Sequence, residues 1–271
     1  MAIVFPDYIM MMRLKARGHL KPGFTMMEIG KQNWAGDVPI DKLIADTADK
    51  RTTTKLRQTL KRDPNSFKIT DHYYRNVLGC SDYESIDPGV ADSDYKFDLN
   101  YSLPEILSYD VVTDSGTGEH IFNQAQLFRT MHDLTKKGGI MTHVLPWTGW
   151  YNHGFYNFQP TLVYDLAAAN DYTVLDVVLG GVGIPIVFDM LEPTRWRQLI
   201  AAMMASGGGP FVFDEMEVAL HHSMVGFAFM KDSSRQFKIP NQGAYAGDVA
   251  KPVKKPRIRI EGAVEAVKGR R

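Results

Sequence analysis

The chain has 271 residues, of which 44% are hydrophobic and 23% charged, with 31 Lys and Arg against 31 Asp and Glu. This composition is that of a globular protein and excludes an intrinsically disordered or collagen-like chain. The single cysteine, Cys80, excludes an internal disulfide framework, and no apolar run approaches the ~20 residues that cross a bilayer. The first residues also lack the basic region of a secretory signal, so we expect a cytoplasmic protein without a membrane partner.

Positive charge is concentrated at the end of the chain. Residues 251–271 hold eight Lys and Arg against two Glu, a net charge of +6. Because the whole chain has a net charge of zero, residues 1–250 carry a net charge of −6. Pro252, Pro256 and the lack of a helical apolar face predict an extended or disordered tail. A solvated tail is the simpler interpretation, and contact with nucleic acid or an acidic partner is the alternative. We therefore predict a single domain over residues 1–250 and a separate basic tail over residues 251–271.

Strand-like and helix-like segments alternate along the chain, which predicts an α/β sheet with helices on its faces. Residues 37–79 are polar and rich in helix formers, and they predict a helical excursion after the first strand, with two or three helices. In chain order the predicted elements are helix 8–14, strand 24–29, the excursion 37–79, strands 83–86, 95–97 and 110–113, helix 124–134, strand 140–145, helix 161–170, strands 173–179 and 184–190, helix 194–205 and strand 224–230.

Acidic residues mark the ends of four predicted strands. Glu28 lies near the end of the first strand, and an aspartate directly follows each of the next three, namely Asp87, Asp98 and Asp114. In open α/β sheets the ligand binds beyond the carboxyl ends of the strands, where the strand order reverses. Residues 80–125 contain ten Asp and Glu and a single lysine. The resulting negative potential favours a cation or a hydroxyl donor over a phosphate.

The turn after the first strand argues against a dinucleotide. Its sequence, GKQNWAGD, lacks the G-x-G-x-x-G spacing that brings backbone amides to a pyrophosphate. Asp87 lies 57 positions after Gly30, far more than the ~20 of a dinucleotide fingerprint. S-adenosylmethionine answers these constraints better, because it carries a sulfonium, an ammonium and ribose hydroxyls but no phosphate.

Six segments carry a resemblance to a known family: MMEIGKQN, SIDPG, KFDLN, YDVVTDSGTGEHIFN, KKGGIMTHVLPW and HGFYNFQP. Together they resemble the class I S-adenosylmethionine-dependent methyltransferase family, particularly its small-molecule and sugar-type members, over residues 23–171. The resemblance implies a Rossmann-like, mostly parallel sheet with helices on both faces and an antiparallel last strand. It also implies S-adenosylmethionine as cofactor and methyl transfer to an oxygen or nitrogen of a small polar acceptor, with a sugar as one candidate.

By position, the resemblance implies eight cofactor-binding residues: Glu28 and Gly30 near the methionine moiety, Gln32 in the same turn, Asp87 at the ribose hydroxyls, Asp98 and Leu99 at the adenine, and Asp114 and Gly116 beneath the sulfonium. The first turn departs from the family, because Lys31, Gln32 and Asn33 stand where family members have more glycine. The alternative function is therefore a non-catalytic binding or structural protein that keeps the fold without the cofactor. A homo-oligomer is a candidate assembly for either function.

Three histidines are candidate catalytic bases, because histidine titrates near neutrality and methyl transfer to an alcohol benefits from a base. His120 begins the segment after the fourth strand, His143 lies in the fifth strand, and His153 lies in the loop that follows. Each has a structural alternative as a cap, a core residue or a loop contact. The three could also form a metal site with Asp114 or Glu119, as in a metal-dependent hydrolase. Their spacing matches no short metal motif, so we predict no metal.

The loop PWTGWYNHGFYNFQP is dense in aromatic residues, which stack on sugars and bases. We predict that four of them bind the substrate: Trp147, Tyr151, Phe155 and Tyr156. The alternative is that about half of the aromatic side chains pack between the sheet and a helix.

Overall fold

The structure of the protein is a computed structural model that describes residues 2–35, 38, 40–47, 49–63, 67–104, 107–181, 186–218 and 222–243. The chain divides into two compact units, Met1–Pro240 and Asn241–Arg271. All of the helices and strands described below belong to the first unit. The basic tail predicted at 251–271 lies outside the described residues, so the division into a domain at 1–250 and a tail stays a prediction.

Eleven strands and seven α-helices are found in the described part of the chain. The strands are β1 (Ala2–Ile3), β2 (Thr25–Ile29), β3 (Asn33–Trp34), β4 (Asp82–Ile86), β5 (Tyr109–Ser115), β6 (Thr135–Thr148), β7 (Tyr172–Gly181), β8 (Val187–Asp189), β9 (Phe211–Phe213), β10 (Met216–Val218) and β11 (Ser223–Lys231). The helices are α1 (Phe5–Ala16), α2 (Ile40–Ala45), α3 (Lys50–Arg62), α4 (Phe67–His72), α5 (Gln124–Leu134), α6 (Thr161–Asn170) and α7 (Pro193–Ala205). A π-helical segment, Tyr73–Leu78, continues α4, and a short 3-10 segment, Gly118–His120, precedes α5.

The central sheet has seven strands in the order β4-β2-β5-β6-β11-β7-β8. Strands β4, β2, β5 and β6 pair in parallel, whereas β11 runs antiparallel to both β6 and β7, and β8 pairs antiparallel with β7 at the far edge. The predicted Rossmann-like α/β fold, with a mostly parallel sheet and an antiparallel last strand, is confirmed.

Helices cover both faces of the sheet. On β2, Met27 packs in a core with α5, α6 and α7, while Met26 packs in a second core with α1 to α4. Val112 and Val111 of β5 divide between the two cores in the same way, because successive side chains of a strand point to opposite faces. The predicted helical excursion after the first strand is present as α2, α3 and α4. Among the helices described, none is long and apolar enough to span a membrane.

The third predicted strand, 95–97, is reduced to a single parallel bridge between Tyr95 and Ile86. The reason lies directly after β4. A parallel strand that continued to residue 97 would take the backbone N–H of Gly89, but that N–H donates to Oδ1 of Asp87 at 2.8 Å. A side chain therefore takes the donor that a longer strand would have used.

Close packing across the sheet predicts a cost for Gly226→Ala. A Cβ atom at Gly226 of β11 would lie 2.6 Å from Val178 Cγ2 and 3.3 Å from Val144 Cγ2, on the two neighbouring strands. We expect the free energy of unfolding to fall by about 1–3 kcal/mol, as in other overpacked cores. Denaturant unfolding measures this loss. Gly209→Ala is the control, because its Cβ would make only an ordinary 3.5 Å contact on an exposed turn; equal losses in the two variants would contradict the prediction.

Candidate functional site

The strand order reverses at β2, so a ligand crevice is expected at its carboxyl end. From β2 the chain continues to β4 on one side and then crosses to β5 on the other. At their carboxyl ends, Ile29 of β2 pairs with Ile86 of β4 and with Asp114 of β5. A reversal of this kind is where open α/β sheets bind their ligands, so the site is built from the segments that follow these three strands.

Direct hydrogen bonds join the three strand ends. The backbone N–H of Gly30 donates to Ile86 O at 2.9 Å, and the hydroxyl of Thr117 donates to Ile29 O at 2.8 Å. Between them lies Gln32, whose Nε2 donates to Gly30 O at 2.9 Å and lies 3.3 Å from Thr117 Oγ1. Gln32 is only 1% exposed, and its Oε1 has no hydrogen-bond partner among the described residues. The turn after β2 therefore presents a buried acceptor at the crevice.

Asp87 is fixed directly after β4. Its Oδ1 accepts from the backbone N–H groups of Gly89 and Val90, at 2.8 and 3.2 Å, and its Oδ2 accepts from that of Lys31 at 3.0 Å. A carboxylate oxygen has two acceptor positions, and no second donor to Oδ2 is found in the described structure. Lys31 Nζ lies 3.2 Å from Asp92, so the cation of this turn is already paired with an acid.

Asp98 and Leu99 make different contacts. Asp98 Oδ1 accepts from the backbone and side-chain amides of Asn100, at 2.9 and 2.7 Å, so the carboxylate caps its own exposed turn. Leu99 is buried in the core that contains α5. The contacts described for Asp98 do not join it to Asp87 or Asp114.

Glu28 lies within β2 and is only 1% exposed. Its Oε1 accepts from the hydroxyl of Tyr74 at 2.5 Å. Burial raises the pKa of Glu28 to about 8. Hydrogen bonds from the Tyr74 hydroxyl and the backbone N–H of Gln32, together with the charge of Lys31, oppose this rise, whereas the charge of Asp87 adds to it. At neutral pH this residue is therefore mostly a neutral acid within the wall of the site.

Asp114 and His143 form a buried pair beneath the turn after β5. Asp114 lies inside β5 and not beyond its end, because Asp114 and Ser115 pair with His143 and Val144 of β6 and extend the strand. Asp114 Oδ2 lies 3.2 Å from His143 Nδ1, and Oδ1 accepts from Gly118 N at 2.9 Å. The His143 ring stacks on that of Phe227, with centroids 4.6 Å apart. This pair supports the turn that contains Gly116, which has a φ of 70°.

Three side chains gather beside that turn: Glu119, His120 and His153. Oε1 of Glu119 lies 3.3 Å from Nε2 of His153 and 3.8 Å from Nε2 of His120. Glu119 is 1% exposed, whereas the two histidine side chains are 39–40% exposed. Burial raises the pKa of Glu119 to about 8, with a further contribution from Asp114. Burial, together with His153, lowers the pKa of His120.

The loop that carries His153 is joined to Glu119 by its backbone. Phe155 N donates to Glu119 O at 2.8 Å. A Cβ atom at Gly154 would lie 2.8 Å from the same oxygen, so this close approach requires glycine. Trp150 packs on His153, with ring centroids 4.7 Å apart, and its Nε1 donates to Ser223 O at 3.0 Å. Sequence reasoning considered Glu119 only as an alternative metal ligand and missed its central place.

The four aromatic residues predicted to bind the substrate fall into two groups. Trp147 is buried at the end of β6 and packs edge-on against Trp196 of α7, with centroids 5.4 Å apart. Tyr151 and Phe155 are 89% and 65% exposed, and Phe155 contacts the half-buried Tyr156 at 6.3 Å between centroids. Two of the four, Tyr151 and Phe155, are therefore exposed, whereas Trp147 belongs to the core.

Comparison with known proteins gave structural likenesses only, since no protein-family model and no curated protein matches the sequence. The N-methyltransferase NodS from Bradyrhizobium japonicum is similar with a TM-score of 0.41 and 11% identity, over 84% of this chain and 96% of that one. The 1,6-didemethyltoxoflavin-N1-methyltransferase from Burkholderia thailandensis was solved with S-adenosylhomocysteine. It is similar with a TM-score of 0.42 and 12% identity, over 84% of this chain and 81% of that one. The YcgJ protein from Bacillus subtilis is similar with a TM-score of 0.42 and 11% identity, over 84% of this chain and 100% of that one.

Proposed function

We propose that this protein is a class I S-adenosylmethionine-dependent methyltransferase that acts on an oxygen or nitrogen of a small polar acceptor. The observation that carries the proposal is a set of acceptors at the reversal of the strand order. Asp87 is held there by three backbone amides, and Gln32 Oε1 is buried without a partner among the described residues.

These acceptors fit a ligand that donates hydrogen bonds. A buried acceptor without a partner costs about 1–3 kcal/mol, which a donor on the ligand would offset. S-adenosylmethionine has an ammonium and two ribose hydroxyls as donors and adds the positive charge of its sulfonium. A nucleoside phosphate offers acceptors instead, and the lysine of this turn is already paired with Asp92. The residues therefore fit S-adenosylmethionine better than a phosphorylated nucleoside.

Within this proposal the predicted cofactor residues take different parts. Asp87 accepts from the ribose hydroxyls, and the turn with Gly30 and Gln32 holds the methionine moiety. Gly116 allows close approach at the end of β5. Asp98 and Leu99 remain the residues proposed for the adenine. Glu28 and Asp114 are buried and already bonded, so we assign them to the wall that positions these turns.

The bound cofactor would supply an electrophilic methyl group, and the protein must orient an acceptor in line with it. His120 and His153 are the proposed bases, because both are partly exposed beside the turn after β5. The lowered pKa of His120 keeps its imidazole neutral at pH 7 and able to accept a proton. His143 is buried, so we propose that it positions the turn through Asp114. The faces of Tyr151, Phe155 and Tyr156 would stack on the acceptor, which suits a sugar.

Calorimetric titration with S-adenosylmethionine or S-adenosylhomocysteine tests the proposal. We expect saturable binding to the wild-type chain, and Asp87→Ala should weaken it by about 10- to 100-fold, because hydrogen bonds to a charged group contribute about 1.5–3 kcal/mol. Glu217→Ala, an exposed change in β10, is the control and should bind as the wild type does. Thermal unfolding verifies that each variant is folded. Absence of heat from the wild-type chain at high micromolar ligand would reject the proposal.

The alternative is a non-catalytic binding or structural protein. The direct bonds from Gly30 to Ile86 and from Lys31 to Asp87 favour it, since they close the strand ends without a ligand. Light scattering that reports a stable oligomer, together with no cofactor binding, would support this second function.

A further inference from the structure

We propose that Glu119, His120 and His153 form a binding site for a divalent transition-metal ion of the Zn²⁺ type. Each residue offers one ligand atom, and the three atoms lie within 4.8 Å of one another. A set of two imidazoles and one carboxylate suits Zn²⁺ and related ions, whereas Mg²⁺ and Ca²⁺ prefer oxygen ligands alone. This site does not depend on methyl transfer, and while an ion is bound the two imidazoles would act as its ligands and not as the proposed bases.

The two distances from the Glu119 carboxylate are close to those between the ligands of a bound ion. Zinc binds nitrogen and oxygen ligands at about 2.0–2.2 Å in a tetrahedron, so its ligand atoms lie about 3.3–3.6 Å apart. The separation from Glu119 Oε1 to His153 Nε2 is 3.3 Å, and that to His120 Nε2 is 3.8 Å. Because the His120 side chain is 40% exposed, a small rotation of its ring can complete the set.

The carboxylate is held in place before any ion binds. The backbone carbonyl of Glu119 accepts a hydrogen bond from Phe155 N at 2.8 Å, and Gly154 packs against the same carbonyl. The Glu119 side chain is almost fully buried, and Oε2 has no hydrogen-bond partner within the described parts of the chain. Two imidazoles face this buried carboxylate, and a divalent ion bound between the three groups would stabilise its ionised form. On the far side, Trp150 limits the motion of the His153 ring.

Three protein ligands would leave one position of a tetrahedral ion open. Open sites of this kind bind water or a substrate oxygen and lower the pKa of that group. The His120 and His153 side chains are 40% and 39% exposed, so a small oxygen-containing ligand can reach the cluster from solvent. His143 takes no part, because it is buried against Asp114 and Phe227.

Titration of the full-length, untagged chain with ZnCl₂ near neutral pH, after dialysis against a chelator, tests this site. We expect one ion per chain, and a cobalt(II) titration should give the visible absorption of a low-coordinate nitrogen and oxygen site. Glu119→Gln and the double variant His120→Ala/His153→Ala should each lose at least about tenfold in affinity, since even outer-shell changes at metal sites cost that much. His19→Ala controls for unspecific binding to histidine and should leave the affinity unchanged.

The two histidines are exposed, so the double variant should remain folded, which circular dichroism verifies. Absence of saturable zinc binding to the wild-type chain, or equal affinity of the double variant, would overturn the proposal. The S-adenosylmethionine titration is a separate measurement. Zinc binding without cofactor binding would leave this site standing and reject the proposed function alone, and the reverse result would reject this site alone.

Discussion

Asp114→Ala is expected to lower the free energy of unfolding by about 3–5 kcal/mol, the usual loss when one partner of a buried pair is removed. Asp114 is fully buried and His143 is 1% exposed. The substitution removes the acceptor of His143 Nδ1 and of the backbone amides of Thr117 and Gly118. Water cannot replace the carboxylate without entering the core, so these donors lose their hydrogen bonds at full cost.

Denaturant unfolding of the wild type and of Asp114→Ala measures this loss, which appears as a lower midpoint with an unchanged m value. The control is Asp71→Ala on α4. Its carboxylate is 46% exposed and pairs with Arg75 at 2.8 Å one helical turn away, so its loss should cost less than about 1 kcal/mol. If the two variants were equally stable, the pair beneath the turn after β5 would not hold that turn in place.

The strands and helices were largely predictable, because their signal is local. The short apolar runs of β2, β5 and β6 mark strands regardless of what packs against them. Strand ends were less predictable. The segment after Thr113 continues as a strand because Asp114 and Ser115 find partners on β6. Likewise β6 continues to Thr148 by pairing with β11, which buries Trp147 where a loop residue was expected.

The site was predictable in its position and less so in its contacts. An acid after a strand can be read from the sequence, and Asp87 does lie directly after β4. Whether such an acid faces a ligand or its own turn depends on the next few residues, and Asp98 caps its own turn through Asn100. The cluster at Glu119 needs His153, which lies 34 positions away. No local pattern encodes that contact, although a glycine inside an aromatic loop, Gly154, indicates a close approach of two backbones.

Glu28→Gln is expected to change how stability depends on pH. The pKa of Glu28 is about 8 in the folded protein, because burial disfavours the ionised form. In the unfolded chain its ordinary value is 4.5. The Tyr74 hydroxyl, the backbone N–H of Gln32, Lys31 and Asp87 all interact with it. Glutamine keeps an acceptor for the Tyr74 hydroxyl and carries no titrating proton, so it mimics the neutral acid.

The direction of the effect follows from proton linkage. Between pH 4.5 and 8 the folded protein keeps a proton that the unfolded chain releases, so the contribution of Glu28 is fully present below pH 4.5 and is lost as the pH rises to about 8. The difference between the two pKa values corresponds to about 3–5 kcal/mol across this interval.

Unfolding free energies at several pH values should therefore fall more steeply for the wild type than for Glu28→Gln, and the variant should be the more stable chain at pH 8. Glu119 is present in both chains, so its titration cancels in the comparison. Parallel pH profiles for the two chains would mean that Glu28 is already ionised at neutral pH. The conclusion that Glu28 is a neutral acid in the wall of the site would then be wrong.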